Sequence, residues 1–98
     1  MDDENKRIAP RYRVLKSAKI VSMDNKTAID CAVRNQSETG AQLGIEQAIS
    51  VPDEFQLYMA SEDTVRDAVV VWRRGDRIGV AFTSESRPAP LKIKLYKR

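Results

Sequence analysis

The chain has 98 residues, a formal net charge of +3 and 42% hydrophobic residues, which predicts one small domain with a modest core. It contains no histidine and a single cysteine, Cys31, so the commonest general base is absent and a zinc site cannot be built. Neither a P-loop motif nor a Rossmann glycine motif occurs. We therefore expect a binding domain that is not an enzyme and that holds no metal and no cofactor.

The sequence carries no signal for a membrane or for secretion. No apolar run approaches the ~18 residues that a spanning helix needs. The N-terminus, residues 1–5, is acidic and has no apolar stretch, so it does not resemble a secretory signal. A single cysteine cannot form an internal disulfide, which fits a reducing compartment. These features predict a cytoplasmic protein without a transmembrane segment.

The predicted elements follow one another as short strands. Residues 1–10 are polar and end at Pro10, which predicts a flexible arm that leads into the first strand. Branched or alternating apolar residues then predict six strands, at residues 14–21, 29–33, 41–45, 55–59, 68–72 and 78–82. Strands at this spacing, without a helical stripe, indicate an all-β fold, as an antiparallel barrel or a sandwich.

The last part of the chain differs from the middle. Residues 84–90 form a predicted loop with two prolines. After it, Leu91, Ile93 and Leu95 alternate with polar residues, which predicts a short extra strand rather than a helix. The expected organisation is a single domain, residues 1–98, with the arm at 1–10, the barrel at 12–83 and a loop and tail at 84–98.

The first candidate site motif is an Arg-x-x-x-Arg formed by Arg7 and Arg11. Each guanidinium presents forked donors that match phosphate oxygens, and its flat face can stack on a base. Pro10 stiffens the backbone just before Arg11, which reduces the entropy that ligand binding would cost. The motif therefore suits the binding of a small phosphate-containing ligand.

The second candidate motif is an Asn-x-Ser-x-x-Gly formed by Asn35, Ser37 and Gly40. These residues favour a tight turn, and an amide beside a hydroxyl can hydrogen-bond to the edge of a base. Gly40 is expected to adopt a positive φ, which only glycine accepts without strain. One strand, a turn and a second strand would bring this motif close to the two arginines.

The two motifs, in this order and one hairpin apart, resemble the PilZ family, which binds the bacterial second messenger cyclic di-GMP. Residues 30–34, which enter the second motif, and the hairpin of residues 70–82 are also similar to the family. The resemblance covers roughly residues 6–83, which is most of the chain.

The resemblance implies a six-stranded antiparallel split barrel with cyclic di-GMP on its surface and the N-terminal arm folded over the ligand. It implies that Arg7 and Arg11 hold the phosphates and the Hoogsteen edge of guanine. Asn35 and Ser37 would then contact guanine, and Gly40 would shape the turn. Lys6 stands where the family often has another arginine, so it is an additional candidate for the site. Closure of the arm would signal to an effector protein.

Two alternatives stay open at this point. The first is a PilZ-like interaction module that docks a partner protein without binding the nucleotide. The second is a small barrel that binds RNA or single strands, since barrels with basic arms also do this. Against nucleic acid, aromatic residues make up only 6% of the chain. Phe55, Phe82 and Trp72 are moreover expected in the core, which leaves no stacking surface.

Overall fold

Residues 12–46 and 48–96 are described by a computed structural model of the protein. The predicted arm, residues 1–10, lies outside these residues. The described elements are seven strands, a 3-10 turn and one helical turn. They are β1 (Tyr12–Val21), β2 (Ala28–Gln36), β3 (Gly40–Gly44), the 3-10 turn (Ala48–Ser50), β4 (Glu54–Met59), β5 (Thr64–Arg74), β6 (Arg77–Phe82), β7 (Arg87–Pro88) and α1 (Leu91–Lys94).

Six of the strands close into an antiparallel barrel. The strand order is β4-β1-β2-β3-β6-β5, and β4 also pairs with β5, which joins the two ends of the sheet. The short β7 extends the sheet by pairing with Thr64 and Val65 at the start of β5. The predicted all-β, six-stranded antiparallel barrel is therefore confirmed, and closure leaves no long edge strand among these six strands.

The barrel core is built from the alternate residues of each strand. Side chains on a strand point alternately to opposite faces, so every second residue lines the interior. The most deeply buried of these residues are Ile20, Val33, Leu43, Phe55 and Ile78. The alternation in the sequence therefore predicted the inward face of these strands correctly.

The turns between strands use the residues that the sequence indicated. At the β5–β6 hairpin, Gly75 has a φ of +58°. Asn25 has a φ of +63° in the turn between β1 and β2. The Asp24 carboxylate accepts a hydrogen bond of 2.6 Å from the Ser22 hydroxyl in the same turn. Hydrogen bonding from Ser22 is the main reason that the pKa of Asp24 is lowered.

The prediction of a strand at residues 91–95 is wrong, because residues 91–94 form the helical turn α1 and Leu95 is its C-cap. Pro90 precedes the helix in an extended conformation, and α1 then turns Ile93 inward. Ile93 packs in a second, smaller core with Val21, Tyr58, Val65 and Ala89. Tyr58 would face outward by strand alternation, but the C-terminal segment covers it and leaves it 0% exposed. The alternation that suggested a strand arises because one buried residue, Ile93, lies between two exposed leucines, Leu91 and Leu95.

Cys31 is a buried core residue of β2, and we expect it to lower stability at alkaline pH. Burial raises the pKa of its thiol from 9.0 to about 12, with a smaller contribution from the Asp30 carboxylate. Between these two values the unfolded chain binds fewer protons than the native protein, so the free energy of unfolding falls as the pH rises. From pH 8 to pH 10 this loss should be about 1 kcal/mol.

The measurement is urea unfolding at the two pH values, with the Cys31→Ala variant as control. The other titratable groups are present in both proteins, so the difference between the two proteins reports on the thiol. The wild-type protein should therefore lose about 1 kcal/mol more than the variant. Equal losses in the two proteins would show that the thiol ionises as readily in the folded chain as in the unfolded one.

Candidate functional site

The Asn-x-Ser-x-x-Gly motif spans the connection between β2 and β3. Asn35 is in the last part of β2, residues 37–39 form the turn, and Gly40 is the first residue of β3. We call residues 37–39 the β2–β3 turn. Its backbone is closed by the Ser37 N–H, which donates to the Gly40 carbonyl at 2.8 Å. The Ser37 hydroxyl accepts a hydrogen bond from the Thr39 N–H at 3.3 Å, so this side chain helps to shape the turn.

The expected positive φ at Gly40 is wrong. Among the described glycines, only Gly75 has a φ in the left-handed region. Gly40 is required for a different reason, which is the close approach of β3 to β6. A Cβ atom at position 40 would lie 2.3 Å from the Val80 carbonyl oxygen, a distance that no side chain accepts. The residue type was predicted correctly, but the constraint comes from a neighbouring strand rather than from the turn.

The register of the sheet places a row of residues beside this turn, on the outer face of the barrel. Asn35 of β2 is the partner of Gln42 in β3, Gln42 is the partner of Gly79 in β6, and Gly79 is the partner of Trp72 in β5. The Gln42 side-chain oxygen accepts hydrogen bonds from the Asn35 amide at 3.5 Å and from the Arg77 guanidinium at 3.4 Å.

Gln42 was not among the site residues predicted from the sequence. The sequence does contain a hint of its role, because Gln42 is the polar residue between Ala41 and Leu43 and comes two positions after the glycine of the motif. A polar side chain at an outward position is ordinary in a strand, however, and only the register shows that it adjoins Asn35.

Trp72 lies on the same outer face, so its predicted place in the core is wrong. The register of β5 shifts between Val70, which is the partner of Val80, and Trp72. Val71 is the extra residue of this β-bulge, and a bulge moves the following side chain to the opposite face. Trp72 is consequently 41% exposed, and its indole covers Gly79, where a Cβ would lie 2.1 Å from the indole nitrogen.

These residues surround a shallow cavity of about 210 Å³. It is lined by Asn35, Ser37, Gly40, Ala41, Gln42, Val71, Trp72, Gly79 and Val80. Pockets that enclose a whole small ligand usually measure ~300–1,000 Å³. The cavity therefore fits one part of a ligand, and an indole beside amide and hydroxyl groups is suited to a flat ring with polar edges.

The predicted arginines, Arg7 and Arg11, and the additional candidate Lys6 lie outside the described residues. The strand that follows them begins beside the cavity, because Tyr12 is the partner of Gln36 and Arg13 is the partner of Asn35. The structure thus brings Asn35, Ser37 and Gly40 together at the start of β1.

No group of three or more histidine, cysteine, aspartate or glutamate side chains that could hold a metal ion occurs in residues 12–46 and 48–96. Within the same residues, no helix has the length and apolar composition to cross a membrane.

Comparison with curated proteins gives no match. A family model, the PilZ domain, matches residues 5–96, which is nearly the whole chain and includes both candidate motifs. The barrel topology agrees with this match. The chain therefore belongs to the PilZ domain family.

Proposed function

We propose that this PilZ domain binds cyclic di-GMP on the outer face of the barrel and acts as a receptor without catalytic activity. PilZ domains are generally receptor domains for this dinucleotide. The observation that best supports the proposal is the cavity in which Asn35, Ser37 and Gly40 meet the exposed indole of Trp72. A base-sized cavity with one aromatic wall and amide groups on its rim matches the chemistry of guanine.

In the proposed complex, one guanine lies against the Trp72 indole. Stacking of a base on an aromatic side chain contributes ~1–3 kcal/mol. The Asn35 amide and the Ser37 hydroxyl would hydrogen-bond to the base, since both offer donor and acceptor atoms. The existing Asn35–Gln42 hydrogen bond is long, at 3.5 Å, so little is lost when the Asn35 amide turns to the ligand.

The arginines of the first motif would bind the phosphates and a guanine edge from the N-terminal arm, with Lys6 as an additional cation. The arm continues into Tyr12, which is the register partner of Gln36 beside the β2–β3 turn. The start of β1, to which Arg7 and Arg11 are joined through the chain, is therefore at the edge of the cavity. Each guanidinium can donate two parallel hydrogen bonds to the oxygens of one phosphate, which a lysine cannot do.

The domain would transmit a signal if the ligand binds more tightly to a form in which the N-terminal arm is closed over it. A ligand shifts such an equilibrium only by its difference in affinity for the two forms, and Arg7 and Arg11 would supply that difference. The closed arm would present a new surface to an effector protein. This output requires no chemical step on the ligand.

The protein offers a direct probe of the proposal, because Trp72 is its single tryptophan. Titration with cyclic di-GMP should change the intrinsic fluorescence of Trp72, and calorimetry should give the same affinity. Cyclic di-AMP should bind at least tenfold more weakly, because adenine lacks the O6 acceptor and carries a donor in its place. GMP should also bind weakly, since it offers a single phosphate to two arginines.

Other results would overturn the proposal. Equal affinity for the guanine and adenine dinucleotides would contradict recognition of the base. The absence of any heat or fluorescence change with cyclic di-GMP would favour the interaction module that does not bind the nucleotide.

A further inference from the structure

Arg66 of β5 does not line the cavity, yet it contacts the β2–β3 turn. Its Nη2 donates a hydrogen bond of 3.2 Å to the carbonyl of Glu38, the central residue of that turn. The neighbouring carbonyl, that of Thr39, accepts a hydrogen bond of 2.9 Å from the Phe82 N–H. Two successive carbonyl groups of the turn are therefore held by donors from β5 and β6.

The Arg66 guanidinium is itself fixed in position by two other contacts. Its Nε donates to the Ser84 carbonyl at 2.7 Å. Its central carbon lies 4.1 Å from the centre of the Phe82 ring, which is a cation–π contact. Because the guanidinium is planar and rigid, fixing its plane and one nitrogen also fixes the direction of Nη2 toward Glu38.

Ser84, whose carbonyl accepts the hydrogen bond from Arg66, is itself held in place by other contacts. The Ser84 hydroxyl accepts hydrogen bonds of 3.0 Å from the Asp67 N–H and from the Arg87 guanidinium. Arg87 forms an ion pair of 2.9 Å with the Asp67 carboxylate. The loop that follows the barrel thus provides a fixed support for Arg66, although it contributes no residue to the cavity.

We propose that Arg66 is a positioning residue that holds the β2–β3 turn in the geometry in which Asn35 and Ser37 bind the ligand. The inference rests on the proposed function, because it concerns the affinity of the same site. A short exposed turn that is ordered before binding loses less entropy when the ligand arrives. Without Arg66 the turn keeps its Phe82 contact but loses its support at Glu38.

The test compares Arg66→Met, which keeps the length of the side chain but removes every donor, with Arg66→Lys, which keeps the charge but loses the fork. Amide hydrogen exchange at Ser37 and Thr39 is measured by NMR without ligand, and cyclic di-GMP affinity is measured by calorimetry. We expect faster exchange at both amides in Arg66→Met and a five- to twentyfold loss of affinity. Arg66→Lys should lie between this variant and the wild type.

Arg73→Met is the matched control. Arg73 lies on the same strand and also bridges loop carbonyls, since it donates to those of Ala48 and Val51 at 2.7 Å. It touches no residue of the β2–β3 turn through these bonds. This variant should lose stability while the exchange of Ser37 and Thr39 and the ligand affinity stay at the wild-type values.

Two results would overturn the proposal. One is wild-type exchange at Ser37 and Thr39 in both Arg66 variants, and the other is faster exchange with unchanged affinity. If the wild-type protein does not bind cyclic di-GMP, the proposed function fails by itself. The exchange rates still decide in that case whether Arg66 holds the turn, because they are measured without ligand.

Discussion

The Gly40→Val substitution should lower both the stability of the barrel and the affinity for the ligand. The new Cβ would lie 2.3 Å from the Val80 carbonyl oxygen, which is backbone and cannot rotate away. Val80 is held from both sides, as the register partner of Ala41 in β3 and of Val70 in β5. Forcing apart packed strands typically costs about 1–3 kcal/mol, and occasionally more. For a domain of this size, this corresponds to a fall of about 5–20 °C in melting temperature.

The measurement is thermal unfolding by circular dichroism, followed by calorimetry with cyclic di-GMP below the transition. Affinity should fall because the displaced strand carries Gln42 and the end of the β2–β3 turn away from Trp72.

Gly44→Ala is the matched control at the other end of β3. There the nearest atom to a new Cβ is the Arg34 Cδ at 3.2 Å, which belongs to a long side chain and not to backbone, so a shift of a few tenths of an ångström relieves the contact. The control should change stability by no more than about 0.5 kcal/mol. A Gly40→Val variant that melts like this control would contradict the close approach of β3 and β6.

Arg11→Ala should abolish most of the affinity for cyclic di-GMP and leave the fold intact. Truncating one partner of an enclosed charge pair costs on the order of 2–5 kcal/mol, which corresponds to about 30- to 5,000-fold in Kd. Position 11 precedes β1 in the sequence, and an arginine is almost never fully buried in a hydrophobic core unless it is paired. The melting temperature should therefore stay within about 2 °C of the wild-type value.

The control for overall charge is Lys92→Ala. Lys92 is an exposed residue of α1, and its removal lowers the net charge by the same amount. General attraction of an anionic ligand would weaken equally in both variants, whereas a specific phosphate contact would appear only in Arg11→Ala. Normal binding by Arg11→Ala would remove the Arg-x-x-x-Arg motif from the proposed site.

Local patterns in the sequence were enough to predict an all-β fold with six strands, and the resemblance to the PilZ family then indicated a barrel. The alternating apolar residues marked the inward faces of the strands, because side-chain direction in a strand follows from local geometry alone. The turn-forming residues at Asn25 and Gly75 have the positive φ values that such turns require. The motif with Asn35 and Ser37 could be located in the sequence because its residues are close together in the chain.

Features that depend on contacts between distant strands became visible only in the folded protein. The bulge at Val71 places Trp72 outside the core and beside the cavity. The alternation of residues in the sequence does not indicate where this extra residue is. Gly40 is needed because the backbone of β6 passes beside it, not because of its own φ. The burial of Tyr58 and the helical turn around Ile93 depend on one another, since each covers the other's apolar surface. Such features arise from contacts between residues that are far apart in the chain. Patterns among neighbouring residues in the sequence therefore do not predict them.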